Sequence, residues 1–194
     1  MVDPDDISVT NINRQIHALH STLGKSKVEV MMNRVLDINP DINIKIYRGS
    51  EISDGEETLI DSTYSYVVDA VDTVTTKIKI IKKSKKEKLP IISCMGTGNK
   101  LEPIKLEVAD IYSTSVCPLA KVIRKEMRKL GIDSLKVLYS KEEPIERKVD
   151  NSIDKDVENA LVNKRVPGSI SFVPSVAGLI IAGEVVKDII KGGE

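Results

Sequence analysis

The sequence predicts an α/β protein with a mostly parallel sheet and helices on both faces of that sheet. Two observations favour this class. Short apolar runs without polar alternation, at 66–68 and 89–93, are typical of strands that helices cover on both sides. Segments with helical spacing of apolar residues lie between and around these runs, as in sheets whose parallel strands are joined by helices. With 194 residues, 41% of them hydrophobic, the chain fits a single domain over 1–194.

The first half of the chain predicts a helix, two strands, a second helix and a third strand. The first helix starts at Lys27, where apolar residues recur at i, i+3, i+4 and i+7, and Asn39-Pro40 ends it. Isoleucines at alternate positions of 42–46 predict a strand with one covered face. The second helix joins the two apolar runs. It has a lysine-rich side and an apolar stripe of three residues, namely Val74, Ile78 and Ile81.

The next segment predicts a strand, a helix, a strand and a loop. Apolar residues alternate over 104–108, and an amphipathic helix over 119–130 ends at Gly131. Residues 135–139 are strand-like. From Lys141 to Arg165, 13 of 25 residues are charged, which predicts a long exposed crossover loop over 141–165.

The last segment predicts a short strand over 169–173 and a helix from Pro174 to about Lys191. Apolar residues cover most of this helix, so it must be buried in the core or in a contact between subunits. The apolar stretch 173–186 is shorter than a bilayer span, and the chain starts without a secretory signal pattern. We therefore expect neither export nor a membrane span.

Composition excludes several classes of function. Lys plus Arg and Asp plus Glu are each 29, so net charge gives no argument for nucleic acid, an anionic membrane or an acidic substrate. Aromatic residues are 3% of the chain, too few for a base-stacking surface. The two cysteines, Cys94 and Cys117, form neither a disulfide framework nor a zinc motif, which favours the reducing cytoplasm.

Two segments carry residues suited to phosphate chemistry. Asn11, Arg14 and Gln15 are followed by Gly24-Lys25-Ser26-Lys27 at a helix start, where cations and free backbone N–H groups favour phosphate. Taken singly, each of these residues is equally typical of a solvated surface. Asp69 and Asp72 follow a buried strand, where α/β sheets place ligands. Asp72 could bind Mg²⁺ or simply cap the next helix.

Taken together, these segments resemble the ubiquitin-activating-enzyme-like superfamily of adenylating enzymes. The motifs are DPDDISVTNINRQ, GKSK and VVDAVDT in that order. The later segments IISCMGTGNKLEP, SVCPLAKVIRKEMRKLGI and GSISFVPSVAGLIIAGEVVKDII look most like the tRNA threonylcarbamoyladenosine dehydratase group within it. The resemblance covers nearly the whole chain and implies a Rossmann-like fold.

The resemblance implies a role for each candidate residue. Asp3 would bind the ribose hydroxyls of ATP. The phosphates would be reached by three residues: Asn11, Arg14 and Gln15. Lys27 would stabilise charge on the α-phosphate and the leaving pyrophosphate, and Asp72 would hold Mg²⁺. Cations at these oxygens lower the barrier to adenylation by electrostatics, without an acid or base.

The resemblance also implies a segment upstream of Met1. In Rossmann-like domains the acid that binds ribose follows a Gly-rich loop by about 20 residues. We therefore expect that residues 1–194 are an N-terminally shortened domain that lacks its first strand, loop and helix. The Gly96-Thr97-Gly98 sequence follows a later strand and is interpreted as a turn.

The implied reaction is ATP-dependent adenylation of a carboxylate, used to close threonylcarbamoyladenosine in tRNA into a ring with loss of water. Related enzymes that activate sulfur-carrier proteins commonly carry two CxxC pairs, and this chain has none. Adenylation of a sulfur-carrier protein, with a sulfurtransferase-type partner, is one alternative, and a catalytically impaired dimeric scaffold is another. Whether it acts on tRNA or on a sulfur-carrier protein, the enzyme is expected to be a cytoplasmic homodimer.

Cysteines and lysines complete the set of candidates. Related thioester-forming enzymes place their nucleophile in the crossover loop, and 141–165 contains no Cys, so covalent catalysis is not expected. Cys94 fits a small core residue, whereas Cys117 could be exposed.

Two basic sets could contact tRNA phosphates or could be solvated helix faces. They are Lys77, Lys79, Lys82, Lys83, Lys85, Lys86 and Lys88, and Lys121, Arg124, Lys125, Arg128 and Lys129.

Overall fold

A computed structural model describes residues 1–49, 59–145 and 167–192 of the chain. The described part contains four α-helices and four strands. The helices are α1 (Lys27–Ile38), α2 (Val74–Lys86), α3 (Pro118–Lys129) and α4 (Phe172–Gly192). The strands are β1 (Val67–Asp69), β2 (Ile91–Cys94), β3 (Leu106–Asp110) and β4 (Lys136–Ser140).

The four strands form one sheet in the order β1, β2, β4, β3. β2 pairs in parallel with β1 and with β4, and Asp69 lies opposite Ser93 in the register. β3 pairs antiparallel with β4, from Leu106 opposite Ser140 to Asp110 opposite Lys136. The Rossmann-like, mostly parallel sheet predicted from the sequence is therefore confirmed.

Side chains of the central strands alternate between two hydrophobic clusters, because successive residues of a strand point to opposite faces. On one face, Ile91 and Val137 pack with α2 and α3. On the other face, Ile92 and Leu138 pack with Ala177 and Ile181 of α4. Helices therefore cover both faces of the sheet, as predicted.

The helix α4 is less buried than its sequence suggests. It buries three residues against the sheet: Val173, Ala177 and Ile181. Leu179 and Val186 are 73% and 56% exposed, and Ile189 and Ile190 are also exposed. No helix among the described residues is long and apolar enough to cross a membrane.

The strand predicted over 42–46 is wrong as a regular element. Residues 1–3 and 45–47 instead form a short parallel ladder, in which Tyr47 N donates to Met1 O at 2.9 Å and Asp3 N donates to Tyr47 O at 3.2 Å. Tyr47 makes a single bridge with Val2. Alternating isoleucines favour an extended backbone, but a strand also needs a partner along its length. Here the partner reaches only the last residues.

The strand predicted over 169–173 is also wrong. Residues 167–170 have no regular structure, and α4 begins at Phe172. Pro174 therefore lies at the third helical position, where a missing N–H costs nothing because the first N–H groups of a helix have no acceptor within it.

Two predicted exposures differ from the structure. Val68 of β1 was expected under helices on both faces, but it is 50% exposed. The loop predicted over 141–165 was expected to be exposed, yet Glu142 is 7% exposed. Residues 146–165 of that loop lie outside the described part of the chain, whereas 141–145 follow the end of β4 without regular structure.

Candidate functional site

Lys27 joins the N-terminal segment to the first turn of α1. Its side chain is buried, and its Nζ lies 2.6 Å from Asp5 Oδ2 and 3.8 Å from Asp3 Oδ1. The backbone supports this placement, because Lys27 N donates to Asp5 O at 3.2 Å and Asp5 N donates to Asp3 Oδ1 at 2.9 Å. The structure therefore places Asp3 and Lys27 close together.

The three other predicted phosphate-binding residues lie in one tight turn. Asn11 O accepts from Arg14 N and from Gln15 N, at 3.1 and 3.0 Å. The Asn11 side chain is engaged locally, since its Oδ1 accepts from Ser8 N at 3.1 Å. Arg14 Nη1 donates to Thr10 O at 2.8 Å, which aligns the guanidinium along the turn.

Three buried polar atoms beside this turn have no hydrogen-bond partner in the described part of the chain. They are Gln15 Oε1, His17 Nε2 and Ser26 Oγ. Burial, together with the nearby Lys27 ammonium, holds the pKa of His17 below its ordinary value, against an opposing effect of Asp3. A buried polar atom without a partner is costly, so these atoms fit a polar ligand such as a nucleotide.

Asp72 lies at the carboxyl end of β1, on the loop that leads into α2. Its carboxylate is exposed, and Oδ1 accepts from Thr73 Oγ1 at 3.2 Å. No hydrogen bond or ion pair among the described residues joins Asp72 to Lys27 or to Arg14. The structure therefore brings Asp3 and Lys27 together, and it leaves Asp72 as a separate group at the strand end.

Directly beneath Asp72, Asp69 forms a buried ion pair with Lys77. Both residues are fully buried, and Lys77 Nζ lies 2.8 Å from Asp69 Oδ2. The expectation that Lys77 belongs to a solvated or tRNA-binding face is therefore wrong. Helical phase explains this, because position 77 follows Val74 by three residues and precedes Ile81 by four.

Asn99 connects the loop after β2 to both ends of the charged segment. Ile145 N donates to Asn99 O at 2.9 Å, Asn99 N donates to Gly168 O at 2.8 Å, and Gly168 N donates to Asn99 Oδ1 at 2.7 Å. A Cβ on Gly98 would lie 2.7 Å from the Pro167 side chain, so this close approach requires glycine. Gly98 and Asn99 form a turn, as interpreted from the sequence.

Glu142 is buried because backbone donors satisfy its carboxylate. Leu101 N and Glu102 N each donate to it at 2.9 Å. Burial alone would raise the pKa of Glu142, but these hydrogen bonds and the nearby Lys100 outweigh burial and lower it. The Lys100 ammonium also donates to the Glu142 carbonyl. The start of the charged segment is thus fixed to the loop after β2.

Neither cysteine has the environment of a nucleophile. Burial raises the pKa of the Cys94 thiol to about 11. Cys117, which could be exposed according to the sequence, is 4% exposed and precedes α3 at its N-cap. Reactive cysteines are thiolates in accessible, electropositive surroundings. Both residues thus agree with the prediction that no covalent thioester forms.

The second basic set is only partly free to bind a ligand. Arg124 Nη1 donates to Thr114 O at 2.7 Å, and the Arg128 guanidinium lies 5.4 Å from the ring centre of Tyr112. Lys129 pairs with Glu126 at 2.6 Å. Lys121 and Lys125 are exposed on the same helix, α3.

A family model for the ThiF family matches residues 1–194, the whole of this chain. The chain belongs to the ThiF family. The sequence resemblance to adenylating enzymes is therefore confirmed at the level of the family.

Individual relatives narrow the comparison within the ThiF family. A tRNA threonylcarbamoyladenosine dehydratase from Bacillus subtilis is 41% identical over an alignment of 194 positions, which covers 98% of this chain and 76% of the relative. The crystal structure of the Escherichia coli enzyme TcdA in complex with AMP superimposes with a TM-score of 0.79 at 25% identity, covering 99% of this chain and 75% of TcdA. A TcdA structure in complex with ATP matches with a TM-score of 0.78 at 24% identity, over the same shares of both chains.

Within this ThiF-family chain, the structure adds residues that the sequence did not single out. Asp5, the nearest acid to Lys27, lies in the acidic DPDD run, but only the fold shows which of its acids faces the lysine. His17 is half-buried, and its Nε2 has no hydrogen-bond partner among the described residues. The alternation of residues 67, 69, 91 and 93 along β1 and β2 was the available signal that Asp69 and Ser93 share a face.

The described site suits a metal ion only if most of the ligands come from outside the protein. The described residues contain no group of three His, Cys, Asp or Glu side chains that could hold a metal ion. Mg²⁺ needs less from a protein, because one or two carboxylates suffice when phosphates and waters supply the other ligands. The exposed carboxylate of Asp72 fits that requirement.

Both cysteines should resist alkylation in the folded protein. With a pKa of about 11, Cys94 is ionised in only about one molecule in a thousand at pH 8, and Cys117 is inaccessible. Iodoacetamide at pH 8, followed by mass spectrometry, should label neither residue in the time that fully labels the denatured chain. Labelling of Cys94 should accelerate as the pH rises towards 11. Equal rates in the folded and denatured chains would contradict the assignment.

Proposed function

We propose that this chain is an ATP-dependent tRNA threonylcarbamoyladenosine dehydratase. The observation that carries the proposal is the 41% identity to a protein of that name over 98% of the chain. The geometry supports it, since Lys27 lies beside Asp3, and three buried polar atoms of the N-terminal segment have no hydrogen-bond partner among the described residues.

The reaction needs charge stabilisation more than acid or base catalysis. A carboxylate oxygen of the modified base attacks the α-phosphorus of ATP, and pyrophosphate leaves. Ring closure then displaces AMP, which carries away that oxygen. We assign Arg14 and Lys27 to the charge that develops on the phosphates, Asn11 and Gln15 to phosphate contacts, and Asp3 to the ribose. Mg²⁺, held by Asp72, would add charge neutralisation at the pyrophosphate.

Exposed lysines on α2 and α3 are our candidate tRNA contacts. These two helices touch each other on one face of the sheet, and Lys82, Lys86, Lys121 and Lys125 are exposed on them. We call these four residues the lysine face. A tRNA substrate presents phosphates at many points, and several lysines on adjacent helices can neutralise them together. Such a substrate also implies action in the cytoplasm.

The exposed apolar stripe of α4 supports the proposal of a homodimer. Leu179, Val186 and Ile190 recur at intervals of seven and four, so they lie along one side of the helix. Exposed apolar patches of this kind are typical of interaction sites, and a two-fold contact between identical surfaces is the commonest way to bury them.

The alternative substrate, a sulfur-carrier protein, has weaker support. An adenylyltransferase and sulfurtransferase from Culex quinquefasciatus is 29% identical over 102 residues, which are 53% of this chain and 23% of that protein. A sulfurtransferase-type partner therefore stays a prediction.

Removal of single charges from the site should abolish most activity. In a form of the protein that carries the expected upstream Gly-rich segment, Arg14→Ala, Lys27→Ala and Asp72→Ala should each lower ATP–pyrophosphate exchange by about a hundredfold or more. The first two variants remove positive charge from the phosphates, and the third removes the carboxylate that would hold Mg²⁺. The exchange is measured with tRNA that carries threonylcarbamoyladenosine.

Two types of control accompany these variants. Arg34→Ala removes an exposed cation two turns further along α1, and Cys94→Ala and Cys117→Ala remove thiols that the reaction does not use. All three should keep near-normal exchange. Near-normal exchange in the three site variants would instead refute the site assignment.

Charge reversal on the lysine face should weaken tRNA binding. Lys82→Glu combined with Lys125→Glu should raise the KM for tRNA about tenfold or more and reduce the slope of log KM against log salt by about 2, because two phosphate contacts are lost. The KM for ATP should not change. The matched control is Arg34→Glu with Lys141→Glu, which alters charge equally on other surfaces. An equal effect of both pairs would exclude a specific lysine face.

The proposed dimer can be tested with one charge on α4. Val186→Asp should give monomers in light scattering, because a carboxylate in an apolar contact loses its hydration. Val122→Asp on α3 is the control, since Val122 is 46% exposed outside the stripe. Ile181 is unsuitable because it is buried within the subunit. A well-behaved monomer of the unmodified protein at high micromolar concentration would contradict the dimer.

A further inference from the structure

We propose that Lys77 and Asp69 are positioning residues that hold Asp72 in place for the nucleotide. This inference rests on the proposed function, because it assigns to the pair an effect on the residue that we expect to bind Mg²⁺. Neither Lys77 nor Asp69 is expected to touch ATP, since both are fully buried beneath the loop that carries Asp72.

Four polar contacts connect α2 and the ends of two strands, three of them from Lys77 and one between the strands. Lys77 Nζ donates to Asp69 Oδ2 at 2.8 Å, to the Cys94 carbonyl at 2.9 Å and to Ser93 Oγ at 3.3 Å. Ser93 Oγ also donates to Asp69 Oδ2 at 2.5 Å. All three protons of the ammonium group thus have acceptors, which is the condition under which a buried lysine can stay charged.

The loop of residues 70–73 is held at both ends, by the Asp69 side chain at its start and by the α2 backbone at its end. Asp69 Oδ1 accepts from Val71 N at 3.1 Å, so the carboxylate fixes the first half of the loop. At the other end, Lys77 N donates to Thr73 O at 2.9 Å in the first turn of α2. Asp72 lies between these anchors with an exposed carboxylate. The anchor at the start of the loop depends on the Asp69 carboxylate, and the Lys77 ammonium holds that carboxylate in place.

Stability alone does not explain a charged pair at this point. Moving two charges out of water is expensive, and apolar or neutral residues of similar volume often replace a buried ion pair without loss of stability. What a neutral pair cannot supply is the fixed geometry of three acceptors around one ammonium group. Groups that orient a ligand residue typically affect metal affinity or activity by about 10- to 100-fold when they are removed.

The test replaces both charges in the form of the protein that carries the expected upstream Gly-rich segment. Asp69→Asn combined with Lys77→Met should keep the melting temperature within a few degrees of the wild type, yet lower ATP–pyrophosphate exchange by about tenfold or more. In calorimetry with ATP, the gain in affinity that Mg²⁺ gives the wild-type protein should be lost. The control is Lys83→Met with Glu87→Gln, which removes a partly buried ion pair at the other end of α2, about three turns from the loop. That control should change neither exchange nor affinity.

A double-mutant cycle with Asp72→Ala separates positioning from a general structural role. If the pair acts through Asp72, adding Asp69→Asn and Lys77→Met to Asp72→Ala should cause no further loss of exchange. Additive losses would overturn the proposal, and so would a double variant with normal exchange and a normal effect of Mg²⁺ on ATP affinity.

A milder variant covers the case in which the double variant does not fold. Ser93→Ala keeps both charges and removes one contact to Asp69, so it should weaken exchange less but again without additivity to Asp72→Ala. Additive behaviour of Ser93→Ala would overturn the proposal. Absence of exchange in the wild-type protein would contradict the proposed function instead, and the calorimetric comparison would still decide whether the pair positions Asp72.

Discussion

The backbone ladder that β2 shares with β1 and β4 fixes the positions of the other elements in the described chain. Because these three strands are parallel, their carboxyl ends meet at one edge, and the loops with Asp72, Asn99 and Glu142 all leave from that edge. Branched side chains on both faces of β2 and β4 exclude water from the ladder and bind α2, α3 and α4 to it. The chemistry of the candidate site depends on this edge, as in other sheets with parallel strands.

Local patterns predicted the helices well, because the spacing of apolar residues shows which face of a helix is buried. The predicted helices at Lys27, 119–130 and Pro174 are present, with ends that differ by a few residues. The partners of the strands could not be predicted from local patterns, because pairing joins residues that are distant in sequence. The antiparallel direction of β3 and the short ladder of 45–47 with residues 1–3 depend on such pairing.

For the candidate site, the sequence supplied the residue types but not their partners. Arg14 and Lys27 were recognised through motifs, and the structure shows that Lys27 lies against Asp5 as well as Asp3. The role of Lys77 was missed because a lysine inside a lysine-rich run is ordinarily solvated. The spacing of Lys77 from Val74 and Ile81 indicated that it lies on the buried side of the helix. A buried charge is plausible, however, only once an acid such as Asp69 is known to face it.

The contacts of Asn99 have a consequence for how relatives of this protein can vary. Ile145 and Gly168 both bond to Asn99, so the described segments that end at residue 145 and begin at residue 167 meet at one residue. In general, each doubling of the length of a loop between fixed ends adds only about 0.6 kcal/mol to the entropic cost of closing it. Relatives could therefore differ in the length of the connection between these two anchors while α4 and the sheet keep their places. The Asn13 side chain donates to Ser169 O at 2.9 Å, so a change in the backbone next to Gly168 would also alter a contact of the N-terminal segment.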